Sequence, residues 1–246
     1  MSPILSNILL NELDKELESQ GTKYVRYADD FSIYCTEEEQ ARRIGNKIYL
    51  YLRDKLHLPI NREKSGIRRP KEFRILGYSF RSWASKGGEE VYHLVVSEKG
   101  LKSLKSKLKE ITRKTRPGSI ASRTARLTEV QRGWIQYFGH AYMYRELDVI
   151  DRWVRRRLRY CIWHNWKRPE RRRKNLICLG VNPIKAYQWS RTRKGGWAIS
   201  HSPIMSTTVT TSRLERRGYK AVLPLYKSIA PHLNEPLYTR PVRTVV

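Results

Sequence analysis

Lys23-Tyr24-Val25-Arg26-Tyr27-Ala28-Asp29-Asp30-Phe31-Ser32-Ile33-Tyr34-Cys35 is the stretch that decides the reading. Two runs rich in β-branched and aromatic residues flank a short polar corner, the signature of a β-hairpin. One aspartate in such a corner is an ordinary turn residue. Two side by side repel each other unless a cation lies between them, and hard divalent ions prefer carboxylate oxygens. A hairpin corner can aim such a pair at a groove where Mg²⁺ could hold a phosphate. On these residues alone, a metal site and a plain turn explain the pair equally well.

Outward from the hairpin, the pattern stays mixed for about a hundred residues. Ile4, Ile8, Leu9, Leu13 and Leu17 recur at helical spacing and predict an amphipathic helix over roughly 5–19. Thr36 followed by Glu39 has capping-box spacing and predicts a helix over 37–56, with Ala41, Ile44, Ile48 and Leu52 on one face. Strands are predicted over 73–80 and 91–96, with Gly87-Gly88 as the turn. From residue 97 the periodicity becomes helical, over 97–115, 122–144 and 147–166, with Pro117-Gly118 as a break. Pro169 and Arg171-Arg172-Arg173-Lys174 close that segment, and the rest is rich in Gly, Ser and Thr. The expectation is an α+β chain in three parts: 1–96 mixed, 97–180 helical, and 181–246 an irregular basic extension.

Charge divides the chain at the same place. Of 246 residues, 1–100 hold 17 basic and 15 acidic side chains, whereas 101–246 hold 33 basic and 8 acidic. A net +25 in one half concerns partners rather than fold. Lys102, Lys105 and Lys109 fill one predicted helix face; Arg155, Arg156, Arg157 and Arg159 cluster on another; Arg171–Lys174 follow. Basic residues interleaved with Trp and Tyr suit a nucleic acid, with cations for phosphates and rings for bases. No apolar run approaches the roughly 18 residues of a membrane span, and the first residues lack a signal-peptide pattern. Three scattered cysteines exclude a disulfide framework and a four-cysteine zinc site. A reducing, cytoplasmic setting follows.

The motifs, taken in order, resemble a known family. Tyr27-Ala28-Asp29-Asp30 between two strands resembles the active-site hairpin of reverse transcriptases, in the form typical of group II intron and other non-retroviral branches. Ser2-Pro3-Ile4-Leu5-Ser6-Asn7-Ile8-Leu9-Leu10 resembles the segment before it. Leu58-Pro59-Ile60-Asn61-Arg62-Glu63-Lys64-Ser65 resembles the Leu-x-x-Asn-x-x-Lys-Thr element after it, with Ser65 replacing Thr. Phe73-Arg74-Ile75-Leu76-Gly77-Tyr78 is similar to the Phe-Leu-Gly-Tyr strand that supports the primer end. Arg126-Leu127 and Arg132-Gly133-Trp134-Ile135-Gln136-Tyr137-Phe138 resemble the maturase-specific thumb of group II intron proteins, and the tail also reads like bacterial members.

The resemblance implies a partial palm, then a helical thumb, and addition of deoxynucleoside triphosphates to a DNA primer on an RNA template. It implies two Mg²⁺ ions about 3.5–4 Å apart, with Asp29 and Asp30 as ligands and Lys64 near the triphosphate. Tyr27, Ala28, Leu76 and Gly77 would lie against nucleic acid. Lys102, Lys105, Lys109, Arg132, Tyr137, Arg155, Arg156, Arg159, Arg171, Arg172, Arg173 and Lys174 would hold RNA, including intron RNA. Helical spacing puts Trp134 with Val130 and Phe138, as core, while Arg132 falls on another side. The family's fingers, first metal-binding aspartate and Gln-Gly pair have no counterpart here, so the sequence reads as a C-terminal portion, from a truncated frame, a late start or a split enzyme with a separate N-terminal half. By that reading the chain alone would not polymerise.

A second reading is a non-catalytic maturase that clamps intron RNA, and a third is a remnant. Adjacent carboxylates separate the first two, since pure RNA binding has no use for them beside a polyanion. His164-Asn165 is too little for a His-Asn-His nuclease. The other histidines read as structural or surface, Cys35 as a strand residue, and Cys161 and Cys178 as packing.

Overall fold

The computed structural model describes residues 3–61, 63–84, 90–229 and 243–245, and these form two compact units. The first runs to Ser97 and includes the strand Arg243–Val245; the second begins at Glu98.

The first unit opens with helix α1 (Pro3–Ser19), followed by strands β1 (Lys23–Tyr27) and β2 (Asp30–Cys35), and helix α2 (Glu38–Asp54). Strand β3 (Ile67–Arg68) and a 3₁₀ turn at Pro70–Glu72 lead to β4 (Arg74–Ile75), β5 (Tyr78–Ala84) and β6 (Glu90–Val96). Leu10, Leu13 and Leu17 of α1, Ile33 and Cys35 of β2, and Ala41, Ile48 and Leu52 of α2 make one buried cluster. The buried stripe of α1 thus differs from the predicted one. Ile4 and Ile8 are 71% and 64% exposed, because the apolar face rotates to Leu10, Leu13 and Leu17 where α1 meets the sheet. The capping box does not form either. Glu37 is the N-cap of α2 without a side-chain bond, and Glu38 and Glu39 place negative charge on the first turn instead.

Two antiparallel sheets result, one in the order β1-β2-β7-β3, where β7 is Arg243–Val245, and one in the order β4-β5-β6. Phe73 bridges them, with its ring edge-on to Tyr34 of β2 at 6.5 Å and stacked on Phe80 of β5 at 6.1 Å. The predicted Gly87-Gly88 turn lies outside the described residues.

The second unit is helical: α3 (Glu98–Ile111), α4 (Ile120–Phe138), α5 (Tyr144–Asn165), α6 (Pro169–Cys178), α7 (Pro183–Ser190), α8 (Gly196–His201), α9 (Pro203–Thr208), α10 (Thr211–Glu215) and α11 (Val222–Ile229). Leu147, Ile150, Val154, Leu158 and Cys161 line the buried stripe of α5 at 3–4-residue spacing. Helix α4 starts at Ser119, whose hydroxyl accepts the Ser122 N–H, and stops at Gly139, earlier than its periodicity suggested. Residues 183–229 are not irregular, since five helices fall within them. Asn182 and Thr210 cap α7 and α10 with their side chains, and prolines open α7 and α9.

Two arginines of the basic half are structural. Arg123 donates to the carbonyls of Ile111, Arg113 and Arg116, and Arg157 to Lys109 O, Thr112 O and Thr112 Oγ1. Together they satisfy the orphan carbonyls after α3 and place positive charge at its C-terminal end. Burial pushes the Arg157 pKa down, but guanidinium stays charged.

Candidate active site and nucleic-acid surface

The hairpin corner is tight. Tyr27 pairs with Asp30, so Ala28 and Asp29 alone make the turn. Ala28 sits at φ +55, a positive value suited to the first central residue of a two-residue hairpin turn. A non-glycine residue held there costs on the order of 1–3 kcal/mol, so the surroundings must enforce it.

Arg26 is the brace, and sequence reasoning missed it. Its Nε donates to both carboxylate oxygens of Asp14 at 2.8 and 3.0 Å, and its Nη2 to Asp14 Oδ2 at 2.5 Å. Nη1 reaches Asn7 Oδ1 and the Ala28 carbonyl, both at 3.0 Å. The pair is largely shielded, with side chains 15% and 18% exposed, which makes it stronger than a surface ion pair. It ties the corner to α1 and engages the Arg26 cation with Asp14. Such an Asp–Arg pair twelve residues apart has no local sequence signal.

Asp29 and Asp30 are exposed, and neither carboxylate makes a hydrogen bond or ion pair among the described residues. Oxygen donors of that kind fit a hard divalent cation. Among the described residues, no group of three or more His, Cys, Asp or Glu side chains could hold a metal, so this corner contributes two carboxylates.

A second strained turn lies between β4 and β5. Ile75 pairs with Tyr78, which leaves Leu76 at φ +51 and Gly77 at φ +81 as the central residues. Positive φ at both is the two-residue type I′ pattern, and leucine is an unusual occupant. The Gly77 carbonyl accepts the Ser97 N–H at 2.8 Å, which holds the tip in place. The loop carrying Lys64 is folded by Asn61, whose side-chain oxygen accepts the Glu63 and Lys64 N–H groups. Lys64 is exposed on that loop, and its carbonyl accepts from Arg68.

In the helical unit the basic residues divide in two. Lys102, Lys105, Lys109, Arg132, Arg156, Arg171 and Lys174 are exposed. Arg159 instead donates to Val209 O at 2.8 Å, and burial together with Arg155 and Arg156 pushes its pKa down. Arg172 stacks on Trp163 at 4.7 Å and donates to Trp166 O. Arg155 and Arg173 are half-buried, and Tyr137 is 52% exposed with its ring edge-on to Phe138. Trp134 is only half-buried, because the core stripe of α4 runs through Leu127, Gln131, Ile135 and Phe138 rather than Val130 and Trp134. Cys161 is buried as a packing residue should be, whereas Cys178 is exposed.

Family comparison agrees with this division of the chain. A model described as "Reverse transcriptase (RNA-dependent DNA polymerase)" matches residues 1–80. A second, "Group II intron, maturase-specific domain", matches residues 101–177. The chain belongs to the group II intron reverse transcriptase/maturase family. No curated protein matches it. Within the reverse-transcriptase match lie both strained turns, the Arg26 brace and Lys64; within the maturase-specific match lie α4, α5 and most of α3 and α6. Among the described residues, no helix of this reverse transcriptase/maturase chain is long and apolar enough to cross a membrane.

Proposed function

We propose that the chain is the palm-and-thumb part of a group II intron reverse transcriptase, with Asp29 and Asp30 as divalent-metal ligands and the basic helical unit as the RNA clamp. One observation carries the reading: two adjacent, exposed carboxylates with no internal partner stand on a turn that Arg26 and Asp14 hold in a strained shape. A plain turn has no need of that brace, nor of a second, adjacent negative charge in a chain whose other half is strongly basic. Bound Mg²⁺ would supply Lewis-acid stabilisation of the charge that develops on a transferred phosphoryl group. The chain's own residues do the remainder. Asp29 and Asp30 offer the oxygens, the Leu76-Gly77 turn presents backbone to a primer end, and Lys64 lies on an exposed loop suited to a triphosphate.

The second reading, an RNA-clamping maturase, is favoured by the donor set, because the two carboxylates that the described residues bring to this corner are fewer than nucleotidyl transfer with two metals requires. The readings therefore divide on whether a third carboxylate is supplied from elsewhere. Primer extension on an RNA template with Mg²⁺ should give background product from this chain alone. It should rise on addition of a polypeptide that brings an aspartate strand to the sheet. Robust extension by the chain alone, lost in Asp29→Ala, would show that the donor set is complete without help. No extension under any complementation leaves the maturase reading.

A further inference from the structure

The α6–α7 pair carries a surface that the proposed metal site does not use. Residues 167–194 hold ten basic side chains and one acidic one, Glu170. Amid this charge, Tyr187 of α7 is 49% exposed and Ile184, one turn earlier on the same helix face, is 71% exposed. An exposed ring and an exposed aliphatic side chain are out of place on a face whose only other business is solvation.

The ring is also built upon. The Arg191 guanidinium lies over it at 3.8 Å from the centroid, and that of Arg173 stands at 5.9 Å. Glu170 holds both cations, with Oε1 at 2.5 Å from Arg191 Nη2 and Oε2 at 3.7 Å from Arg173 Nη1. The one acid of the region thus fixes two guanidiniums around one tyrosine and joins the start of α6 to the end of α7. A guanidinium stacked on an aromatic ring makes a flat, polarised, positively charged platform. The same two helices carry exposed Arg171, Lys174 and Lys185 as further cations.

We infer that Tyr187, with Arg191 and Arg173, is a stacking platform for an unpaired base of RNA. This rests on the RNA-clamp reading above and names a subsite of it. Base stacking on an aromatic side chain is sequence-tolerant and suits single strands, whose faces are open, rather than a closed duplex. The density of cations favours a polyphosphate over an acidic peptide, and two exposed aliphatic side chains, Ile177 and Ile184, give a bilayer little to bury. Tyr187 and Arg191 lie beyond the maturase-specific match, which ends at residue 177.

The test uses the full chain and two RNAs: a hairpin with a single-stranded tail containing 2-aminopurine, and the same hairpin with a blunt end. Tyr187→Leu should weaken the tailed hairpin about 5- to 150-fold and abolish 2-aminopurine quenching, while Tyr187→Phe retains both. Blunt-hairpin affinity and the salt slope should stay as in the wild type, since no phosphate contact is removed. Leucine at this exposed position should leave melting unchanged. Equal binding of the tailed hairpin by Tyr187→Leu and wild type overturns the platform, as does an equal loss for both RNAs. Binding to phosphatidylglycerol vesicles that Tyr187→Leu abolishes would make the patch a lipid surface instead. A wild-type chain that binds neither hairpin overturns the RNA-clamp reading itself, and the platform with it.

Discussion

Affinity of the full chain for a structured RNA is expected to fall roughly 10³–10⁵-fold between 50 and 200 mM salt, the drop for about six to ten neutralised phosphates. The exposed set supplies them: Lys102, Lys105, Lys109, Arg132, Arg156, Arg171 and Lys174 all face solvent. Each contact releases a condensed counterion, so Arg132→Ala should flatten the log–log slope by about one unit without lowering the melting temperature. Arg159→Ala and Arg172→Ala should behave oppositely. Their guanidiniums are bonded to Val209 O and Trp166 O, so loss of stability precedes any loss of RNA. Titrations at several salt concentrations decide the matter, and a flat response would remove the polyphosphate partner from the account.

The largest stability loss is expected at Asp151, one carboxylate on the buried stripe of α5. It accepts the Tyr219 hydroxyl at 3.0 Å, the Val222 N–H at 2.8 Å and the Leu223 N–H at 3.0 Å. It therefore caps the start of α11 and latches it to α5. Burial first, then the Asp151 charge, pushes the Tyr219 pKa well up, so the hydroxyl stays a donor throughout the neutral range. Asp151→Ala leaves two buried donors and one part-buried donor without this partner. Removing one partner of such a buried charged cluster costs roughly 3–5 kcal/mol. For a unit of this size that is a drop in melting temperature on the order of 10 °C. Asp148→Ala, which removes an exposed pair with Arg152, is the control and should change stability by under about 1 kcal/mol. Equal small effects for both would mean that α11 is not held by Asp151.

What could be read in advance follows the range of the interactions. The hairpin around Ala28 and Asp29 was legible because strand propensity and turn chemistry act over a dozen residues. The α3 stripe was legible too, since Leu104, Leu108 and Ile111 are buried as their spacing suggests. Partners distant in the chain were not. Asp151 looks like a stray acid among arginines until Tyr219 and Val222, about seventy residues later, come to meet it. Arg123 and Arg157 look like nucleic-acid cations until the end of α3 is seen to need them. Strand β7 gave no sign of pairing between β2 and β3. Helical spacing pairs Trp134 with Val130 on the core face, yet Gln131 and Ile135 hold that face, a rotation that periodicity alone cannot resolve.

Paramagnetic line broadening by Mn²⁺ is the most direct test of a metal site at the Asp29–Asp30 corner. Two carboxylates give weak affinity, in the range of about 10⁻⁴–10⁻³ M for lightly coordinated hard cations, and broadening detects binding of that strength. At substoichiometric Mn²⁺, amide signals of Tyr27 to Phe31 should disappear first, and excess Mg²⁺ should restore them. In the double variant Asp29→Asn/Asp30→Asn they should persist. Broadening that begins elsewhere, or that is the same in the double variant, would contradict a metal site at this corner.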